Sequence, residues 1–379
     1  MEIIKEIYHY YLYLTKKLCF FIKYIINYRK SKNYILNIKE DNIFITNDHG
    51  GGTLVFENNY LKDKKYLILR FIVDDYFKDI GLILENKNTK YYYKINKIEE
   101  ILNRSYNSIF INTLKSLDII NVVIDKIISN KKENEASQII YYVHDFHSIC
   151  PICNLFKDGK FCNLQCLNGN CNIFEKKRNI KIHDWRQKWF DLFSNLDHIV
   201  CMSQSSRKLM IKAFGWKIDE KIIVKPHDMS YCKFEPINYE EKSLNIAIVG
   251  TTFAPYKGKE IVEDIIEQFG NTVHIDIMGA PKNKFRSRGK LVTFKKRYKK
   301  EDLMELLKAK KTNLVVFPSL WPETFSYVVS EIMILNLPII CFNIGAQAEK
   351  VNKYSKGTVV STKEEMYNFI ENKRKELNS

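Results

Sequence analysis

The chain has 379 residues, 45% hydrophobic and 13% aromatic, which excludes a disordered polymer and a single small core and predicts two globular domains. With 60 basic and 44 acidic residues the net charge is +16; such a surface favours nucleic acid, anionic headgroups or phosphorylated substrates, and its sign alone does not choose among them. Residues 1–30 are apolar and aromatic, but Lys5, Lys16, Lys17 and Lys23 interrupt them and no small-residue cleavage site follows, so neither a signal peptide nor a clean membrane span is expected.

Residues 1–40 form the first predicted element, an amphipathic helix. Ile4, Ile7, Tyr11, Leu14, Leu18, Phe21 and Ile25 recur at spacings of three and four, one stripe of a helix. Lysines and tyrosines beside such a stripe suit a membrane interface, and docking on the protein's own body or on a partner helix is the alternative.

A first α/β domain is expected over 41–238. Asn42–Asn47 predicts a buried strand, and it leads into Asp48-His49-Gly50-Gly51-Gly52-Thr53. A glycine run between strand and helix lets backbone N–H groups approach a phosphate or sugar, although a tight turn explains it equally. Further strands are predicted at Lys65–Val73, in a hairpin-like pair over Gly81–Ile95, and at Ile109–Asn112, with a helix at Ile119–Ile128. Gln138–Val143 is a strongly apolar strand ending in His144-Asp145-Phe146-His147. A histidine and an aspartate at a strand's carboxyl end are site candidates in an α/β domain. A helix over His183–Leu196, a strand at His198–Met202, a helix at Ser203–Phe214 and a strand at Ile222–Lys225 complete the domain. Asp228–Ser243 lacks periodicity and reads as the interdomain linker.

The chain has nine cysteines, five of them clustered at 150, 153, 162, 166 and 171. Without a secretory signal they are expected as reduced cytosolic thiols. The spacing C-x2-C-x8-C-x3-C-x4-C is compatible with a structural zinc and equally with packed thiols.

The second domain, 239–379, alternates strands and helices: Leu244–Val249, Lys259–Phe269, Val273–Met278, Glu301–Ala309, Asn313–Pro318, Thr324–Leu335 and Pro338–Phe342. That order predicts a parallel, doubly wound sheet. Lys282–Lys311 is the densest basic patch, a solvated face or an anion-facing one.

At the carboxyl edge of that sheet Pro322–Glu331 reads P-E-T-F-S-Y-V-V-S-E, placing Glu323 and Glu331 eight positions apart. Thr324, Phe325 and Ser326 open the helix expected there, so their N–H groups favour an anionic or oxygen-rich ligand. Glu323 can then accept hydrogen bonds from sugar hydroxyls, Glu331 from a ribose diol two turns further on, and Lys257 can neutralise a diphosphate. A phosphate, a ribose and a sugar together describe a nucleotide sugar.

With these motifs, Y-K-G-K at 256–259 and L-P-I-I-C-F-N-I-G-A-Q-A-E at 337–349, the chain resembles the retaining GT-B glycosyltransferases with an E-x7-E motif, family 4. More narrowly it is similar to bacterial polysaccharide and O-antigen assembly transferases. Those carry a glycine-rich first loop (here D-H-G-G-G-T), an H-D-F-H-S-I-C-P segment followed by cysteines, and a D-W-R helix leading to a P-H dipeptide. The resemblance spans roughly residues 42–360 and implies two Rossmann-like domains facing a cleft. It implies that Glu323 contacts the donor sugar, Glu331 the nucleotide ribose and Lys257 the diphosphate, with Gly50, Gly51 and Gly52 near the phosphates and His144 close to the reacting sugar. Where many relatives carry a second phosphate-binding arginine, Thr251 or a neighbour stands; Arg286, Arg288 and Lys282 are candidate replacements.

The implied activity is metal-independent, retaining hexosyl transfer from a UDP-, GDP- or dTDP-sugar to a glycan or lipid-linked glycan, in cell-envelope polysaccharide biosynthesis. The implied setting is cytoplasmic, with peripheral contact at an anionic inner membrane face and no nucleic-acid partner. The competing readings are a GT-B-fold protein without catalysis and a basic nucleic-acid binder. The latter has no use for two glutamates at this spacing.

Overall fold

The computed structural model describes residues 2–48, 50–74, 78–86, 89–168, 180–238 and 243–378, with backbone alone at 2–7, 168 and 378. The chain divides into two compact units. The first comprises Met1–Cys153, Asn168–Cys201 and Leu209–Lys225; the second comprises Asn154–Leu167, Met202–Lys208 and Pro226–Ser379.

The first unit opens with one long helix, α1 (Glu2–Leu36). An eight-stranded sheet follows: β1 (Asn42–Asn47), β2 (Leu67–Val73), β3 (Asp79–Asn86), β4 (Thr89–Tyr93), β5 (Ser108–Ile111), β6 (Gln138–Val143), β9 (His198–Cys201) and β10 (Ile222–Val224). The strand order is β10-β9-β6-β5-β1-β2-β3-β4. All pairings are parallel except β2–β3 and β3–β4, so the expected hairpin is an antiparallel edge on an otherwise parallel sheet. Helices cover both faces, which is why the central strands read as unbroken apolar runs. On one face α2 (Gly52–Leu61) sets Phe56 and Tyr60 against Phe110 and Tyr142, with Phe110 stacked on Phe44. On the other, Trp189 and Phe193 of α5 (Ile182–Asn195) pack on Tyr141. Two more helices, α3 (Ile98–Leu102) and α4 (Ile120–Glu133), complete the connections, and α6 (Gln204–Phe214) follows β9.

The second unit is a six-stranded, wholly parallel sheet of order β13-β12-β11-β14-β15-β16. Its strands are β11 (Asn245–Val249), β12 (His274–Met278), β13 (Val292–Lys295), β14 (Leu314–Phe317), β15 (Ile339–Phe342) and β16 (Gly357–Val360). Side-chain alternation along β11 sends Ile246 and Ile248 into one core and Ala247 and Val249 into the other. The first core is closed by α7 (Lys259–Phe269) and α11 (Lys363–Asn378), the second by α8 (Leu303–Ala309), α9 (Tyr327–Ile334) and α10 (Gly345–Val351). A short hairpin, β7 (Phe156–Lys157) and β8 (Lys160–Phe161), also belongs to this unit. Both units are therefore Rossmann-like α/β sheets, as expected.

Two sequence expectations change. The helix expected over Thr324–Leu335 begins only at Tyr327, because Ser326 sits at φ 61, a left-handed conformation through which a right-handed helix cannot run. Glu331 is consequently little more than one turn into α9, not two. In the segment read as a linker, Ile237 is 5% exposed in the α8–α9 core and its N–H donates to Leu335 O.

On α1, the apolar stripe with spacings of three and four is not the face that packs. Phe20, Ser31 and Ile35 are buried instead. Phe20 lies over Gly81 so closely that a Cβ there would come within 2.2 Å of the ring. Ser31 accepts from the Tyr92 N–H and, through its carbonyl, from the Tyr93 hydroxyl. His49, the tip of the predicted 81–95 hairpin and the side chains of Ile4 and Ile7 lie outside the described residues.

Candidate functional site

The carboxyl ends of β11 and β14 are brought together by one glycine. After β11 the chain runs through a single turn at Pro255–Lys257 to Gly258. Gly258 has φ 84, and a Cβ there would lie 2.0 Å from the carbonyl oxygen of Pro318, just after β14. Only glycine permits this approach. It sets Lys257 beside the loop 318–326, where Lys257 Nζ pairs with Glu323 Oε1 at 2.5 Å and lies 5.0 Å from the centre of the Trp321 ring.

Glu323 is only 8% exposed, and its neighbours hold it from several sides. Ser319 Oγ donates to its carboxylate, its N–H donates to Gln347 Oε1, and its carbonyl accepts from the Ala346 N–H. Gln347 Nε2 also donates to Trp321 O. The I-G-A-Q-A-E segment thus clamps the loop: Gly345, at φ 66, leaves no room for a Cβ against Pro322 Cα at 2.6 Å. A carboxylate buried and oriented this way loses little entropy when it meets a hydroxyl-rich ligand.

Glu331 is 3% exposed on α9 and has its own cation, Lys300, 2.9 Å away. Burial raises the Glu331 carboxyl above its ordinary range, and Lys300 opposes that shift. Lys300 Nζ also donates to the Tyr231 hydroxyl and lies 3.9 Å and 4.8 Å from the ring centres of Tyr231 and Tyr327. The cation is thus held by a carboxylate and two aromatic faces.

A third lysine lies behind the same loop. Lys350, on α10, is 3.2 Å from the centre of the Phe325 ring, and its Nζ donates to Ser330 Oγ and Ser326 O. Burial pulls its pKa down to about 7, with Glu323 and Glu349 opposing. His227 stacks on Tyr327 and meets Phe325 edge-on, and burial with the nearby Lys350 pulls it down to about 4. Glu349 accepts from the Ser205 N–H, and Ser206 Oγ donates to Thr324 O.

In the first unit, Gly51 caps α2 at φ 77, and neither Gly50 nor Gly51 has an atom within 4 Å of where a Cβ would stand. The loop is open where the Gly258 turn is crowded. Asp48, at its start, pairs with Lys16 of α1 at 2.7 Å. His144 ends β6 with its ring 4.9 Å from that of Phe56, on α2, so the helix that starts at the glycine loop packs against this histidine. Asp145 and His147 face inward instead. Burial alone would raise Asp145, but Lys115 at 2.7 Å and His147 hold it below the usual carboxylate range. Burial pulls His147 down to about 4, and its carbonyl accepts from the Trp185 indole.

Of the expected residues, Lys257, Glu323 and Glu331 fall at one sheet edge of the second unit, while Gly50–Gly52 and His144 fall at one edge of the first. Thr324 and Phe325 are buried within the loop rather than opening a helix. Arg288 donates to the carbonyls of Phe285, Arg286 and Ser287 in its own loop, so it is committed locally. Sequence reasoning missed Lys300 and Lys350. Lys300 is hidden in the run K-K-R-Y-K-K, which reads as a solvated face, although the tyrosine inside that run was a usable signal. Among the described residues no cluster of three or more His, Cys, Asp or Glu could hold a metal ion. Cys171 lies outside them, and burial pushes the Cys153 thiol up to about 11.

Residues 238–375 match the family described as Glycosyl transferases group 1. The fold is shared with solved structures: Anabaena Alr3699/HepE in complex with UDP, at 14% identity and TM-score 0.55, aligned over 87% of this chain and 89% of that one. Sucrose-phosphate synthase from Thermosynechococcus elongatus aligns with the same identity, score and coverage. Alr3699/HepE in complex with UDP-glucose aligns at 15% identity and TM-score 0.51, over 87% and 89%. No curated protein sequence matches the chain. The two Rossmann-like units are those of the GT-B fold.

Proposed function

We propose that the protein is a glycosyltransferase that moves a hexose from a nucleotide sugar to a glycan or lipid-linked glycan acceptor, with retention at the anomeric carbon. One observation carries this reading. At the carboxyl edge of the domain that matches Glycosyl transferases group 1, two buried carboxylates are each held by a lysine, Glu323 by Lys257 and Glu331 by Lys300. Two Glu–Lys pairs offer a nucleoside diphosphate sugar the groups it requires: cations for the diphosphate, carboxylates for the ribose and sugar hydroxyls. That Alr3699/HepE was solved with UDP and with UDP-glucose supports a nucleotide-sugar donor here.

In this reading Lys257 leaves Glu323 for the donor diphosphate and Glu323 accepts from the sugar hydroxyls. Glu331 takes the ribose diol, and Thr324, Phe325 and Ser326 line the donor. His144 and Glu323 are each assigned to the transfer step, and Gly50, Gly51 and Gly52 to the phosphates through their backbones. The bond from the anomeric carbon to the phosphate oxygen breaks as the acceptor oxygen bonds to the same face. The acceptor proton passes to the departing phosphate, whose charge Lys257 and backbone dipoles stabilise, so no metal ion is required. Cell-envelope polysaccharide assembly of the O-antigen or capsule type, at the inner face of an anionic membrane, is the setting this chemistry suits.

A thermal-shift screen with UDP-, GDP- and dTDP-sugars, followed by turnover assays, tests the reading. One donor is expected to raise the melting temperature, and Glu323→Ala and Lys257→Ala to abolish its turnover in folded protein. Unchanged activity in both variants refutes it.

A further inference from the structure

Helix α1 is turned the wrong way round for a helix in water. Its docked face carries Phe20, Ser31 and Ile35, while Leu14, Leu18, Phe21, Ile22, Ile25 and Ile26, on the opposite face, are between 44% and 75% exposed. A helix packed on a globular body ordinarily presents its polar face to solvent. Stepping 100° per residue around the axis, the outward arc from Tyr11 to Ile26 contains no charged residue, and Lys17 and Lys23 border it, one on each side. Between Tyr8 and Leu36 there are six basic residues and no acidic one. Lysines from the body add positive charge beside the docked face: Lys78 lies 5.1 Å from the centre of the Tyr13 ring and Lys94 lies 5.7 Å from that of Tyr24. No helix among the described residues is long and apolar enough to cross a membrane.

We propose that the outward face of α1 inserts into the interface of an anionic lipid bilayer. The apolar arc enters the acyl boundary, and the flanking lysines, with the exposed tyrosines Tyr8, Tyr10 and Tyr28, sit at headgroup level. A bilayer is favoured over a protein partner because the basic residues form a border with no acidic counterpart, which matches a continuous anionic plane. The helix is also braced to the glycine loop. Lys16, on the docked side, pairs with Asp48 and donates to Val73 O, which fixes the start of the Gly50–Gly52 loop to α1 itself. Seated on lipid, α1 holds that loop about one helix diameter, ~10 Å, from the surface. This consequence rests on the lipid-linked acceptor of the proposed function and selects, within that class, acceptors whose reacting sugar lies close to the membrane.

The test is co-sedimentation of the full chain with vesicles of equal parts phosphatidylcholine and phosphatidylglycerol, and with phosphatidylcholine alone. Binding is expected to the anionic vesicles only. The combined substitution Leu18→Gln, Phe21→Gln, Ile25→Gln is expected to abolish it, and Lys17→Glu with Lys23→Glu to weaken it on the order of tenfold or more. Both variants change only solvent-facing positions, so each should keep the wild-type melting temperature and nucleotide-induced thermal shift. Glu323→Ala should bind vesicles like the wild type, which separates failure of the surface from failure of the donor site. Absent vesicle binding, equal binding to neutral vesicles, or a dimer that the glutamine variant converts to monomers would each overturn the proposal.

Discussion

The two loops that begin at glycines, one in each unit, are built on opposite plans. After β1 the Gly50–Gly52 loop has no atom within 4 Å of its first two glycines' missing side chains, and its charge comes from Asp48, already neutralised by Lys16. After β11 the Gly258 turn is pressed against Pro318 and brings Lys257 to Glu323, and a second charged pair, Lys300 with Glu331, stands in the same unit. The first loop offers accessible backbone and room. The second offers cations and carboxylates fixed in place by packing. An anionic, hydroxyl-rich ligand gains its orientation from the second arrangement, because groups already immobilised need not be ordered on binding. The difference is between a surface that can accommodate and one that can discriminate.

The contrast is broken most severely by removing its charges. Glu323→Ala is expected to abolish measurable turnover, a loss of at least about 10²–10³-fold as removal of one oriented transition-state group causes in other enzymes, with the fold retained by circular dichroism. Next comes Lys300→Ala, which leaves Glu331 buried without its cation and should cost ~3 kcal/mol in chemical unfolding of the second unit. Gly258→Ala must strain a left-handed backbone and displace Pro318, for a loss of at least ~2 kcal/mol. Gly51→Ala meets no crowding, but at φ 77 and ψ −149 its backbone lies in a region that essentially only glycine adopts, so about 1–3 kcal/mol is expected from strain alone. Gly258→Ala adds a backbone clash to its strain, so a smaller loss at Gly258 would erase the distinction between crowded and open loops.

The remaining expected effect is a pH response. Lys350 titrates at about 7 in the folded protein because of burial, with Glu323 and Glu349 opposing, against about 10.4 in an unfolded chain. The unfolded state therefore binds the extra proton between these values, so stability climbs as pH rises from about 7 toward 10 and is lost as pH falls through 7. Lys350→Met should flatten that slope in urea melts followed across this range. An unchanged slope would assign it to another group.

How much of this was legible in the sequence depended on whether local pattern or tertiary contact decided the outcome. The strand β6 and the helix α7 fall at the predicted residues because each buries a full period of its apolar pattern: Ile261, Val262, Ile265, Ile266 and Phe269 make one stripe. The start of α9 was misplaced because Ser326 adopts a left-handed conformation that nothing in P-E-T-F-S announces. Glu323 and Glu331 stood out by type and spacing, whereas Lys300 and Lys350 did not, since a lysine's meaning depends on which carboxylate it meets. Helix α1 is the sharpest case. Its period marked an amphipathic helix, but which face would pack was decided by Gly81, whose missing side chain admits Phe20.

The central claim is that the second unit's sheet edge binds a nucleotide sugar through its two Glu–Lys pairs. Hydrogen–deuterium exchange with and without UDP-, GDP- and dTDP-sugars tests it most directly. One of these donors is predicted to slow exchange across residues 250–258 and 318–331. No protection there with any of the three, or protection confined to the first unit, would contradict the account.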